Sequence, residues 1–185
     1  MQLKNNFMID SYGSIAKFLH WMIALLIVTN YILGITLDDT GFRFITIHKQ
    51  LGLTILFLVV LRILWRVCSR YPNMAGELSL FEKFAAKSGH MVLYVLMLAI
   101  PVFGILMVEA KGYPLQFCGL FNIPVLVSPQ THSVSHQLKL VHEYLAHTII
   151  IFAAFHALFA LYHHFISKDS VLLRMLPRFK CKDKS

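Results

Sequence analysis

The sequence predicts an all-α integral membrane protein, a four-transmembrane-helix bundle with both termini cytoplasmic, and three observations carry that prediction. The 185-residue chain is 57% hydrophobic and 14% charged, with a mean hydropathy of +0.66. A soluble domain of this size cannot hide so much apolar surface, whereas a bilayer accepts it provided backbone polar groups are paired inside helices. Four apolar runs approach or exceed the ~20 residues needed to cross a hydrocarbon core. All but four of the 17 Lys and Arg residues gather at one set of helix ends, and cationic flanks stay cytoplasmic.

The helices are expected at roughly 15–37, 44–64, 88–108 and 138–166, within a single membrane domain over 1–185. No signal-peptide pattern precedes the first run, so Met1 to Asp10 leads into a retained helix. Asp38-Asp39-Thr40-Gly41 can only be a short hairpin loop between the first two helices. The second connection carries Arg66, Arg70, Pro72, Gly76, Glu77, Lys83 and Lys87. The third is an outer loop, 109–137, which contains Pro114, Pro124 and Pro129 and reads as a partly ordered cap over one membrane face. A basic cytoplasmic tail, 167–185, closes the chain.

The formal net charge of +8 raises nucleic acid as a partner, but the cations are clumped at the ends of apolar runs, where they act as topology determinants. Only Arg43, Lys49, Lys111 and Lys139 fall on the outer side. Cys68 and Cys181 lie across the membrane from Cys118, which speaks against a disulfide framework. No CxxCH is present, so a haem would be held by axial ligands alone.

Histidines inside the apolar runs carry the chemistry, because a buried imidazole needs a partner or a metal. On the fourth helix, His142 and His156 are fourteen residues apart, which leaves them within about 40° of one face and roughly 21 Å apart along the axis. Two haems stacked across a ~30 Å core need ligands at about that spacing. His20 on the first helix matches the depth of His156, and His48 on the second matches His142. The expected arrangement is two haem b groups: His20 with His156 on the inner side, His48 with His142 on the outer side. Gly34 and Gly52 are placed where a flat macrocycle could approach, although small residues are common at membrane helix contacts.

Each assignment has a plainer alternative. A single His in an apolar helix is often satisfied by a backbone carbonyl. His90, which opens the third helix, could replace His20, hold a propionate or sit at the interface. His132 and His136 have the i, i+4 spacing of a metal pair if helical, but the segment from Ser128 to Gln137 reads as a solvated loop. His147 points away from the stripe towards a packing role, and His164 towards headgroups. Arg62 and Arg66 could neutralise propionates or snorkel as topology anchors. Trp21, Trp65 and Tyr162 read as an interfacial aromatic belt.

Several stretches together resemble the bacterial di-haem cytochrome b561 family, whose better-described members act as superoxide oxidases. These are Lys17-Phe-Leu-His20-Trp21, Ile47-His48-Lys-Gln-Leu-Gly52, Gly89-His90-Met-Val-Leu-Tyr94, Ile100-Pro101-Val-Phe-Gly104, Leu140-Val-His142-Glu143, Phe155-His156 and His163-His164. The ending from Lys168-Asp169 to Pro177-Arg178 is similar too, except that Ser167 stands where the family pattern has an aromatic residue.

The resemblance implies a bacterial inner-membrane enzyme that oxidises superoxide to dioxygen at the outer face. Electrons would pass through two haems to ubiquinone, two superoxides per quinol, with His163 beside the quinone. Other than membrane lipid, the implied partners are superoxide and ubiquinone, and the short outer loops leave little surface for an obligate protein partner. Two other functions fit four helices. One is a cytochrome b subunit relaying electrons between a partner dehydrogenase or hydrogenase and the quinone pool; the other is a haem-free transporter or structural protein.

Overall fold

A computed structural model describes residues 11–41, 43–69 and 79–177. It contains four long helices: α1 (Ser14–Ile35), α2 (Ile45–Cys68), α3 (Leu80–Ala110) and α4 (His132–Phe165). Each is long and apolar enough to cross a membrane. α1 packs along α2, α2 along α3, and α3 most extensively along α4. The start of α1, the end of α2, the start of α3 and the end of α4 form one face of the bundle, called here the termini face; the opposite end is the loop face.

Little of the apolar surface is hidden. The core reduces to two small clusters, Leu53, Ile105, Val108 and Leu115 near the loop face and Ile23, Ile55 and Val59 deeper in the bundle. Large side chains such as Phe18, Leu25, Phe57, Ile151 and Phe155 point outward. In water such a surface would aggregate; in lipid it is the solvated one.

Two helices start earlier than their hydropathy suggests, for the same reason. α3 begins at Leu80 rather than near 88, because Ser79 and Glu82 form a reciprocal capping box: the Ser79 hydroxyl accepts from Glu82 N–H while the Glu82 carboxylate accepts from Ser79 N–H. Lys83 and Lys87 therefore belong to a helix, not to the connection. α4 begins at His132, capped by the Thr131 hydroxyl, so the expected solvated loop through Gln137 is helical and His132 and His136 sit one turn apart. Their rings stack at 6.3 Å on an exposed face. α2 likewise runs to Cys68, which places Arg66 within the helix. Arg70, Pro72, Gly76, Glu77, Arg178 and Cys181 lie outside the described residues.

The outer connection is an ordered cap. Gln116–Phe117 and Phe121–Asn122 pair as a two-stranded antiparallel ribbon, β1 and β2. Its turn uses positive φ at Cys118 and Gly119. Gln50 on α2 pins it by donating to the Gln116 carbonyl and accepting from Cys118 N–H. Glu109, 4% exposed at the end of α3, accepts from the backbone N–H groups of Leu126 and Val127 at 2.9 and 3.1 Å. A buried carboxylate is tolerable only when hydrogen-bonded in this way. At the termini face, the segment after α4 folds back so that Trp21 Nε1 donates to the Met175 carbonyl and Tyr12 N–H to the Arg174 carbonyl.

Glu109→Ala removes a charged acceptor from two amides, a loss of about 2 to 3 kcal/mol. The expected outcome is a lower melting temperature in detergent, with hydrogen exchange accelerated at Leu126 and Val127 and little changed in α4.

Candidate functional site

Five histidines from all four helices meet inside the bundle in two groups. Near the loop face, the rings of His48 on α2 and His142 on α4 have centroids 6.2 Å apart. Towards the termini face, His20 on α1 lies 6.3 Å from His156 on α4, and His90 on α3 lies 5.2 Å from the same ring. His48 and His142 face each other, and His156 faces both His20 and His90. Two metal–imidazole bonds of about 2 Å plus the half-widths of two rings span roughly 6 Å. The His20–His156 and His48–His142 separations are close to that span, and the His90–His156 separation is about 1 Å shorter.

The loop-side pair is seated by a device used twice. His48 Nδ1 is 3.1 Å from the Asn30 carbonyl, and His142 Nδ1 is 2.8 Å from the Ile100 carbonyl. A carbonyl can only accept, so both Nδ1 atoms carry the proton and both Nε2 atoms present a lone pair. Four residues after each carbonyl stands a glycine. A Cβ on Gly34 would lie 3.0 Å from His48 Cε1, and one on Gly104 would lie 3.2 Å from His142 Cε1. The missing side chains on the next helical turn are what let the rings reach the carbonyls.

Gly34 thus makes room for an imidazole rather than directly for a macrocycle. Gly52 has only an ordinary 3.7 Å neighbour in Asn30 Nδ2. Gly104 and the Ile100 carbonyl were legible only as part of a short motif, because nothing in the sequence says which turn of α3 faces His142.

The space around this pair fits a large apolar group with a coordinating centre. A cavity lined by His48, His142, Ile27, Met97, Ile105 and Ile149 runs between the helices, with Tyr31 and Lys49 on its wall. Asn30 also lines it, and its buried Oδ1 has no hydrogen-bond partner, an orphaned polar atom of the kind that marks a site for a missing group. Two free Nε2 lone pairs, an apolar wall and an orphaned amide suit a haem held by bis-histidine ligation.

The remaining predicted residues sort clearly. Arg62 Nε donates to the Tyr94 hydroxyl at 3.2 Å, and both Arg62 and Arg66 lie over the Tyr94 ring. The Arg62 charge is within electrostatic reach of His20, His90 and His156. His147 accepts or donates at Nδ1 to the Tyr31 hydroxyl, 2.8 Å away, tying α4 to α1. His163 is 1% exposed and its Nδ1 is bonded to Asp169. On the loop face, Lys139 pairs with Glu143 at 3.3 Å. Glu109 is held by amides and Glu143 by Lys139, so neither carboxylate is paired with Lys49 or Lys111.

Comparison with known proteins places the chain among related sequences. The family model described as "Prokaryotic cytochrome b561" matches residues 11–178. A relative from Escherichia coli (strain K12) named "Cytochrome b561 homolog 2" is 32% identical over 173 residues, covering 90% of this chain and 92% of that protein. "Cytochrome b561 homolog 1" of the same organism is 32% identical over 133 residues, 72% of this chain and 74% of its own. A Yersinia pestis protein named "Probable superoxide oxidase CybB" is 30% identical over 174 residues, covering 90% of this chain and 96% of the relative.

Gly104→Ala and Gly34→Ala each push an imidazole off its carbonyl. Either substitution is expected to lower haem content at the loop-side position by at least half, measured as pyridine haemochrome on purified protein. Gly52→Ala, with an ordinary contact, is expected to retain it.

Proposed function

The chain belongs to the prokaryotic cytochrome b561 family and is a multi-pass membrane protein that binds b-type haem and transfers electrons; on that premise we propose that it is a superoxide:ubiquinone oxidoreductase of the bacterial inner membrane. In this reading the cation-rich termini face is cytoplasmic. Superoxide gives up one electron at the loop face and leaves as dioxygen. Two superoxides and two protons convert one ubiquinone to ubiquinol at the termini face.

The observation that carries the reading is the pairing of four imidazoles at matched depth, at two levels of one bundle. We assign His48 and His142 to a loop-side haem and His20 and His156 to a termini-side haem. Bound there, haem supplies one-electron chemistry at an iron whose potential is tuned by its ligands and their hydrogen bonds. The Asn30 and Ile100 carbonyls orient the loop-side ligands and raise their basicity. Arg62 and Arg66 are assigned to the propionates of the termini-side group, where a guanidinium binds carboxylate in two places. His163 is assigned to the quinone site.

The choice of superoxide as donor draws on the name of the Yersinia relative and on charge at the loop face. Lys49 follows His48 in sequence, lines the same cavity and lies within electrostatic reach of Lys111. Cations at the mouth of a low-dielectric cleft draw in a small anion. The engagement of Glu109 and Glu143 elsewhere leaves these lysines less opposed.

Two measurements test the reading. Pyridine haemochrome quantitation is expected to give two haems per wild-type chain and one in His142→Ala; a wild-type content in that variant would overturn the ligand assignment. With superoxide generated enzymatically, the purified protein is expected to form ubiquinol well above the uncatalysed rate. Haem reduction without quinol formation would point instead to a relay subunit serving a partner dehydrogenase.

A further inference from the structure

At the termini face three elements converge on one buried ring. His163, in the last turn of α4, is 1% exposed. Its Nδ1 is bonded to Asp169 Oδ2, and the Asp169 side chain is itself only 6% exposed. Asp169 is held in place by its surroundings: its N–H donates to the His163 carbonyl at 3.1 Å and its Oδ1 accepts from Val171 N–H at 2.9 Å. The preceding residue, Lys168, sits at φ +55°, a conformation that L side chains rarely adopt. The chain accepts that strain to turn Asp169 back under the ring.

The other nitrogen is the informative one. His163 Nε2 is buried and makes no hydrogen bond, and a buried polar atom left without a partner calls for a function or a missing ligand. A carboxylate of α3 approaches it: Glu82 Oε1 is 4.0 Å away, on a side chain that is 34% exposed. Its other oxygen, Oε2, serves the capping box with Ser79. One carboxylate therefore bridges the solvated start of α3 and an unpartnered imidazole nitrogen.

We propose that Glu82, His163 and Asp169 form a proton relay that supplies quinone reduction from the solvent side, with Glu82 as its receiving group. The inference rests on the proposed quinone chemistry at this face. His163 Nε2–H passes its proton to a quinone carbonyl oxygen as the quinone is reduced, which leaves a neutral ring protonated at Nδ1 and bonded to Asp169. Glu82, whose Oε2 stays with Ser79, takes a proton from water on Oε1 and passes it to Nε2, which returns the carboxylate. Two cycles deliver the two protons that accompany the two electrons given up by two superoxide ions, so the sum is two superoxide, one quinone and two protons to two dioxygen and one quinol. Asp169 holds Nδ1 and so fixes which nitrogen faces Glu82.

Glu82→Gln separates the relay from the cap, because Gln serves a capping box as well as Glu does but carries no proton. The variant is expected to keep wild-type haem content, melting temperature and rate of haem reduction by superoxide in the absence of quinone. With quinone present, ubiquinol formation is expected to fall at least tenfold, and millimolar formate, a small diffusible acid, is expected to restore part of it. Quinol formation at the wild-type rate, or a loss that formate does not reverse while haem reduction stays intact, would overturn the relay. A wild-type protein that makes no quinol from superoxide fails the underlying function instead. As a second variant, Asp169→Asn keeps an acceptor for Val171 N–H and is expected to slow quinol formation without changing haem content.

Discussion

The hydrogen bonds from His48 Nδ1 to the Asn30 carbonyl and from His142 Nδ1 to the Ile100 carbonyl are the contacts on which the loop-side half of the bundle depends. Each links a histidine-bearing helix to a neighbour: α2 to α1 and α4 to α3. Each requires a glycine on the following turn of the accepting helix, so that backbone and ring can approach. In hydrocarbon no water can substitute for either partner, so the ring is either seated this way or costly to bury. The seat also fixes the tautomer and leaves both Nε2 lone pairs unprotonated.

The termini-side group is built differently. Among the described residues, no backbone carbonyl seats the rings of His20, His90 or His156, and three imidazoles and Arg62 cluster there where the loop side has two imidazoles. Counting fourteen residues back along α3 from Gly104 leads to His90, so the position that is a glycine beside His142 is an imidazole beside His156. The two levels of the bundle therefore share a spacing but not a lining. On the proposed two-haem reading, unequal surroundings give chemically identical groups different potentials.

Both membrane faces are closed by carboxylates that accept backbone or ring N–H groups. Glu109 gathers the outer loop onto α3 and so holds a proline-containing segment over the loop-side cavity. Asp169 gathers the segment after α4 under His163. Glu82 has a double part, as an N-cap partner and as the carboxylate of α3 that approaches His163 Nε2. In each case the charge is placed at the end of a span, where the cost of burial is offset by several donors.

Much was legible in the sequence because it is periodic along a single helix. Hydropathy gave four spans, and the fourteen-residue interval gave the depth of each histidine pair. Helix starts were less legible, although Ser79 and Glu82 carried a capping signature and Thr131 a cap; an apolar window sees neither, and so His132 and His136 read as loop residues. What the tertiary structure alone decided is everything that depends on the rotation of one helix against another. That includes which carbonyls and glycines seat His48 and His142, that His90 stands closer to His156 than His20 does, and that Asp169 and Glu82 converge on His163 from two other elements. Spacing along a chain fixes height in a bundle; which side chains meet at that height is set by packing between helices, and no local pattern records it.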